Sequence, residues 1–236
     1  MSQRYAVVTN ILGQGATELA LALAGSGFTT FCHSDDFADH ATRTAFDRAY
    51  PELLSSHLTN IPDFIAEALT RFGKVDAAVA NLVGDLKQGL LEGMTLDDYR
   101  EALDQYAVQP LCLARSLLPS MKARRQGRIV VITRTAEVAF RPGLVIHSVA
   151  REATNAIVRA LDIEIGAFNL TINLIARIES AHNKFLGMDV SPDRDLSGDP
   201  SRMQSSGKLS EISQLINLLA GGQADLISGK FFTYAE

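Results

Sequence analysis

Val7-Val8-Thr9-Asn10-Ile11-Leu12-Gly13-Gln14-Gly15-Ala16-Thr17 leads from an apolar run through a turn with two glycines into a segment rich in alanine and leucine. A strand, a glycine-bearing turn and a helix in that order form the arrangement that cradles a dinucleotide. Glycines let the backbone approach a pyrophosphate, and the helix N-terminus supplies amide donors. A turn that merely joins a strand to a helix has the same outline, so this stretch predicts geometry before it predicts a ligand.

Outward from that turn the pattern repeats. Apolar runs at Tyr5–Thr9, Phe28–Cys32, Val75–Val79, Arg128–Thr133, Thr171–Ile175 and Phe231–Tyr234 read as strands buried on both faces, because they do not alternate with polar residues. Between them, Gly15–Gly25, Asp36–Tyr50, Ile61–Phe72, Thr95–Arg125, His147–Phe168 and Leu209–Ala220 carry apolar residues at three- and four-residue spacing. Strand–helix alternation predicts an α/β fold: a single Rossmann-like, doubly wound parallel sheet with helices on both faces. No linker or internal repeat divides residues 1–236, so one domain is expected. Residues 187–207 are rich in Ser, Asp, Pro and Gly and read as a long surface loop, a candidate lid.

Composition narrows the function. The chain has 236 residues, 47% of them hydrophobic, and a formal net charge of −5, so a core is available and no basic excess invites nucleic acid or an anionic membrane. No apolar run is long enough to span a bilayer. The start, Met1-Ser2-Gln3-Arg4-Tyr5, lacks the features of a secretory signal. Cys32 and Cys112 make no disulfide framework, and neither has metal-ligand spacing to a second group. A reduced, cytoplasmic setting and no metal are expected.

The chain resembles the short-chain dehydrogenase/reductase family over essentially its whole length. The resemblance rests on Val7-Val8-Thr9 followed by a turn and Ala20-Leu21-Ala22-Leu23-Ala24, on Gly127-Arg128-Ile129-Val130-Val131-Ile132-Thr133, and on Leu218-Leu219 followed by Ile227-Ser228-Gly229-Lys230-Phe231. The family's TGxxxGxG opening, placed without gaps on Thr9, puts its glycines at Asn10, Gln14 and Ala16, with Gly13 and Gly15 in neighbouring slots. The family's NNAG motif falls on Ala80-Asn81-Leu82-Val83, and the PG pair after its sixth strand falls on Arg177-Ile178. The resemblance therefore assigns cofactor positions to Asn10, Gly13, Gln14, Gly15 and Asn81 in altered form. The expectation is no bound nucleotide, with NAD or NADP as the alternative. Asp35 and Asp36 follow the second strand, where a ribose-binding acid would sit; an acidic pair there also suits a helix start.

Halohydrin dehalogenases share this fold without a nucleotide, and they too open with Val-Thr-Asn. Phe31-Cys32-His33-Ser34-Asp35-Asp36-Phe37, Ala49-Tyr50-Pro51-Glu52-Leu53 and Gln109-Pro110 are similar to theirs.

The family's catalytic set is a strand-end Ser, a Tyr and a cation four residues beyond it, a phenol made acidic by a neighbouring charge. In this chain those positions fall on Arg134, His147 and Arg151, and the helix Asn that continues the proton relay falls near Tyr106. His147 has the chemistry of a general acid or base, and Arg134 that of a carboxylate or phosphate clamp. Equally, His147 can line a helix face and the arginines can pair with carboxylates such as Glu137 or Glu152. Ser148 adjoins His147, and adjacent helix residues do not face each other.

The family assembles through its paired long helices, here Thr95–Arg125 and His147–Phe168, and through its C-terminal strand. It includes heteromers, such as hydroxybenzylsuccinyl-CoA dehydrogenase, in which one subunit has lost cofactor and catalytic motifs. The expectation is a homo- or hetero-oligomer, foremost a non-catalytic subunit paired with an active paralogue. The alternatives are a nucleotide-independent dehalogenase-like lyase and an NAD(P)-dependent reductase using His147 and Arg151.

Overall fold

The computed structural model describes residues 3–13, 15–82, 87, 89–134, 143–178, 202–206, 209–222, 224 and 226–235. The strands are β1 (Arg4–Thr9), β2 (Phe28–Cys32), β3 (Leu54–Ser55), β4 (Ala77–Asn81), β5 (Gly127–Arg134), β6 (Leu170–Ile178), β7 (Arg202–Ser206) and β8 (Phe231–Ala235). They form one sheet in the order β3-β2-β1-β4-β5-β6-β8-β7, parallel throughout. The helices are α1 (Ala16–Gly25), α2 (His40–Ala49), α3 (Ile61–Phe72), α4 (Leu96–Leu103), α5 (Gln109–Arg124), α6 (Val145–Ile165) and α7 (Leu209–Ala220).

Alternate strand residues build two cores. Val7, Ala78, Ile129, Val131, Ile172 and Leu174 join α3, α5 and α6 on one face. Val8, Val79, Val130, Ile132, Ile175 and Phe232 join α1 and α7 on the other. The expected doubly wound sheet is therefore present, and its winding reverses between β1 and β4.

Local chemistry sets the element ends. Asn60 caps α3 by accepting from the Asp63 amide at 3.2 Å, and Gly73 ends it with φ of 74°. Thr95 and Asp98 form a reciprocal capping box on α4. Lys87, then the Thr95 backbone and hydroxyl, hold the Asp98 carboxyl down to about 2. The Thr42 hydroxyl and the first amides of α2 likewise hold Asp39, its cap, below the usual carboxylate range. At the amino edge of the sheet, Asp76 is buried. It accepts from the Tyr5 amide at 3.0 Å and pairs with Lys74 and Arg124, each at 3.1 Å.

Three features depart from the sequence reading. The long helix expected over Thr95–Arg125 is interrupted by a π-helical turn at Asp104–Val108. The fourth strand lies at Ala77–Asn81, two residues later than Val75–Val79, because its register is set by β1 and β5. Within the stretch expected to be a loop, Arg202–Ser206 pair with β8 as a parallel edge strand. This is a correction to the 187–207 reading; residues 187–201 and 207 lie outside the described residues. β8 thus has neighbours on both sides.

Replacing Asp76 by Ala strands two cations and an amide, both cations being partly solvated. Urea unfolding should show a loss of about 2 kcal/mol. An unchanged midpoint would mean that the cluster does not anchor the amino edge.

Candidate functional site

The crevice where the winding reverses is built from the ends of β1, β2 and β4. Thr9 closes β1, and Asn10 takes a left-handed conformation with φ of 50°. The Gly13 amide donates to the Asn10 carbonyl at 3.0 Å and the Ala16 amide to the Gly13 carbonyl at 3.1 Å. Gly15 caps α1 with φ of 75°, a conformation that glycine adopts freely. The turn is stitched to β2 by Ile11 N to His33 O and His33 N to Val8 O, both 2.9 Å. It is stitched to β4 by Asn81 Nδ2, which donates to the Asn10 carbonyl at 3.1 Å.

Both glycines therefore serve the turn. A Cβ on Gly13 would lie 2.8 Å from Asn81 Nδ2 and 2.9 Å from Asn10 Nδ2, so two carboxamides already occupy the space beside it. Ala16, at the third glycine position of the family, opens α1 and is fully buried. Gln14 and Val83 lie outside the described residues.

A cleft of about 360 Å³ opens beside this turn, bounded among others by Asn10, Gly13, His33, Asp35, Asp36 and Asn81. His33 was not singled out as a functional residue by sequence. It is buried, with Nε2 2.6 Å from the Thr59 carbonyl and 3.6 Å from Asp35. The carbonyl accepts, so Nε2 carries the proton. Asp35 and Asp36 start a short 3-10 helix capped by Ser34, which is the helix-start alternative, although Asp35 also faces the cleft.

The carboxylate of Asp35 suits a ribose diol, but the described lining residues bring two aspartates and no lysine or arginine. The Asn10 and Asn81 carboxamides crowd Gly13, where the backbone would have to approach a pyrophosphate. The described residues do not fit the phosphate part of the group.

The second cluster lies on α6. Arg151 is buried and donates from Nη2 to Glu152 Oε1 at 2.7 Å. Asn155 holds the same oxygen at 3.2 Å. His147 is half-buried one turn earlier. Ser148 donates its hydroxyl to the Leu144 carbonyl at 2.8 Å, a back-bond within the helix. Tyr106 is buried in the π-helical turn, and its carbonyl accepts from Thr154 Oγ1 at 2.5 Å. Arg134 ends β5 in register with Arg177 of β6. Thr133, which also lies in β5, is fully buried with no hydrogen-bond partner for Oγ1 among the described residues. Cys32 is inert: burial, and then Asp47, push its thiol far up. Among the described residues no group of His, Cys, Asp or Glu can hold a metal. Among them, too, no helix is long and apolar enough to cross a membrane.

Comparison with known proteins agrees with this architecture. A family model described as enoyl-(acyl carrier protein) reductase matches residues 20–234. The chain belongs to the short-chain dehydrogenase/reductase superfamily. It is 22% identical to "Dehydrogenase/reductase SDR family member 4" of Homo sapiens, over 70% of this chain and 60% of that protein. It is 26% identical to "Nodulation protein G" of Rhizobium sp. (strain N33), over 98% of this chain and 94% of that protein. Among solved structures, a halohydrin dehalogenase bound to ethyl (2S)-oxiran-2-ylacetate superposes with a TM-score of 0.82 at 26% identity. That match covers 98% of this chain and 95% of the other. The NADP-bound protein ElxO shares the fold, with a TM-score of 0.79 at 16% identity over 99% of this chain and 98% of its own.

Two substitutions test the local reading. Gly13→Ala should cost roughly 1–3 kcal/mol in thermal unfolding, because the two carboxamides must move. Thr133→Val removes a hydroxyl without a partner, so its midpoint should stay the same or rise. A clear fall would mean that the hydroxyl makes a bond important to the fold.

Proposed function

We propose that this chain is a non-catalytic subunit of a short-chain dehydrogenase/reductase-type assembly, paired with an active paralogue and working without a nucleotide of its own. The observation that carries the reading is the state of the α6 site. Of the family's Ser, Tyr and cation, the cation alone remains on α6, and Arg151 is buried against Glu152 of its own helix. The residue at the relay position, Tyr106, fills the core, and Thr154 takes up its carbonyl. The cleft supports the same reading, since the Asn10 and Asn81 carboxamides crowd Gly13, where a pyrophosphate would approach, and its described lining brings no lysine or arginine.

The helix faces remain suited to assembly. Val108 of the π-helical turn, Leu111 of α5, and Val149 and Ile163 of α6 are exposed, Ile163 to 85%. An apolar residue this open on a helix suits a partner helix. A cytoplasmic assembly is the setting this reading assumes.

The similarity to a halohydrin dehalogenase supports a second reading, a nucleotide-independent lyase in which His147 and Arg151 act on a small substrate. A reductase using NAD or NADP with the same two residues is the remaining form of an active enzyme.

Thermal melting with NADH and NADPH separates these. A ligand at about 100 times its dissociation constant adds roughly 2.7 kcal/mol, a shift of several degrees for a domain of this size. No shift is expected at millimolar cofactor, and a shift would favour the reductase. Co-expression with an active paralogue should yield a stable heteromer. Turnover of an epoxide or halohydrin by the chain alone, abolished in His147→Ala with the fold intact, would replace the subunit reading by the lyase.

A further inference from the structure

The cleft at the ends of β1, β2 and β4 is lined by two buried side chains whose hydrogen-bonding capacity is half used. Asn81 and His33 are exposed to only 2% and 4%. Asn81 gives its Nδ2 to the Asn10 carbonyl at 3.1 Å, while its Oδ1 is buried with no hydrogen-bond partner among the described residues. His33 gives its Nε2 to the Thr59 carbonyl at 2.6 Å, while its Nδ1 is likewise buried with no partner among them. With the proton on Nε2, Nδ1 is the acceptor of the neutral ring.

Buried acceptors in folded proteins nearly always meet a donor, from the chain, from water or from a ligand. Each of these two side chains is already anchored through its other nitrogen, so the idle atom adds nothing to the fold. Two idle acceptors on residues that line one cleft call for donors from outside the chain, and the charges around them select which.

Asp35 and Asp36 line the same cleft and are exposed, and the described lining brings no lysine or arginine. Asp35 lies 3.6 Å from His33 Nε2, so a carboxylate stands beside the imidazole ring. A cleft lined by one sign of charge draws in the other. A carboxylate or phosphate meets repulsion here. A neutral hydroxyl brings one donor and no charge. A protonated primary amine brings three N–H donors and a positive charge. Leu12 and Leu82 also line the cleft and offer apolar surface to whatever body carries the amine. The volume of about 360 Å³ leaves room for a ring.

We infer that this cleft is a binding site for a small organic ammonium ion, a protonated primary amine on an apolar body. The inference goes beyond the subunit reading and does not depend on it, since an amine can bind with or without turnover.

The test is calorimetric titration of the full chain with four compounds that share one ring: benzylamine, benzyltrimethylammonium, benzyl alcohol and benzoate. Benzylamine, protonated at neutral pH, should bind and raise the melting midpoint. Benzyltrimethylammonium keeps the charge but has no N–H, so it should bind at least about tenfold more weakly, because the buried acceptors stay unmet. Benzyl alcohol should be weaker by a similar factor, and benzoate should not bind. Asp35→Asn should weaken benzylamine several-fold at low salt and leave the ligand-free midpoint unchanged. His33→Phe keeps a ring against Phe64 and removes both nitrogens, so it should erase the preference for benzylamine over benzyltrimethylammonium. Asp35→Asn keeps the test decisive should His33→Phe fail to fold. No binding of benzylamine, equal binding of benzylamine and benzyltrimethylammonium, or undiminished binding in Asp35→Asn would overturn the inference. So would binding of adenosine in place of benzylamine, since the cleft would then take a neutral diol.

Discussion

The hydrogen bond from Asn81 to the Asn10 carbonyl closes the seam on which the rest of the molecule turns. In a doubly wound sheet the connections diverge from the two central strands, and a crevice must open where they part. Here β1 and β4 are those strands. The bond crosses the crevice and fixes the left-handed residue that ends β1. It also brings two carboxamides against Gly13. The start of α1, the tether to β2 and the shape of the cleft all follow from that turn. The chain's own carboxamides, those of Asn10 and Asn81, line that crevice.

The same economy governs the α6 side. Pro110, four residues after Tyr106, has no amide hydrogen to give the Tyr106 carbonyl, and Thr154 supplies a donor across from α6. Tyr106 itself is buried in the core. Scaffold and chemistry are separable in this fold: the apolar alternation holds the sheet, while the residues at the carboxyl ends of its strands are free to change.

The parallel sheet, its helices and both core faces were legible in the sequence because a strand buried on both sides must be apolar throughout, as Val130-Val131-Ile132 is. A surface helix must repeat at 3.6 residues, as Ile61–Phe72 does. The positions of His147 and Arg151 on one helix followed from their spacing. Leu54–Ser55 and Arg202–Ser206 carry no such signal: each is a strand only because a neighbouring edge offers it hydrogen bonds. The grip of Asp76 on Tyr5 and Arg124 and the closure of His33 on Thr59 join residues far apart in the chain. Periodicity records which side of an element meets the core. It does not record what lies across from it, and only the tertiary fold decided that.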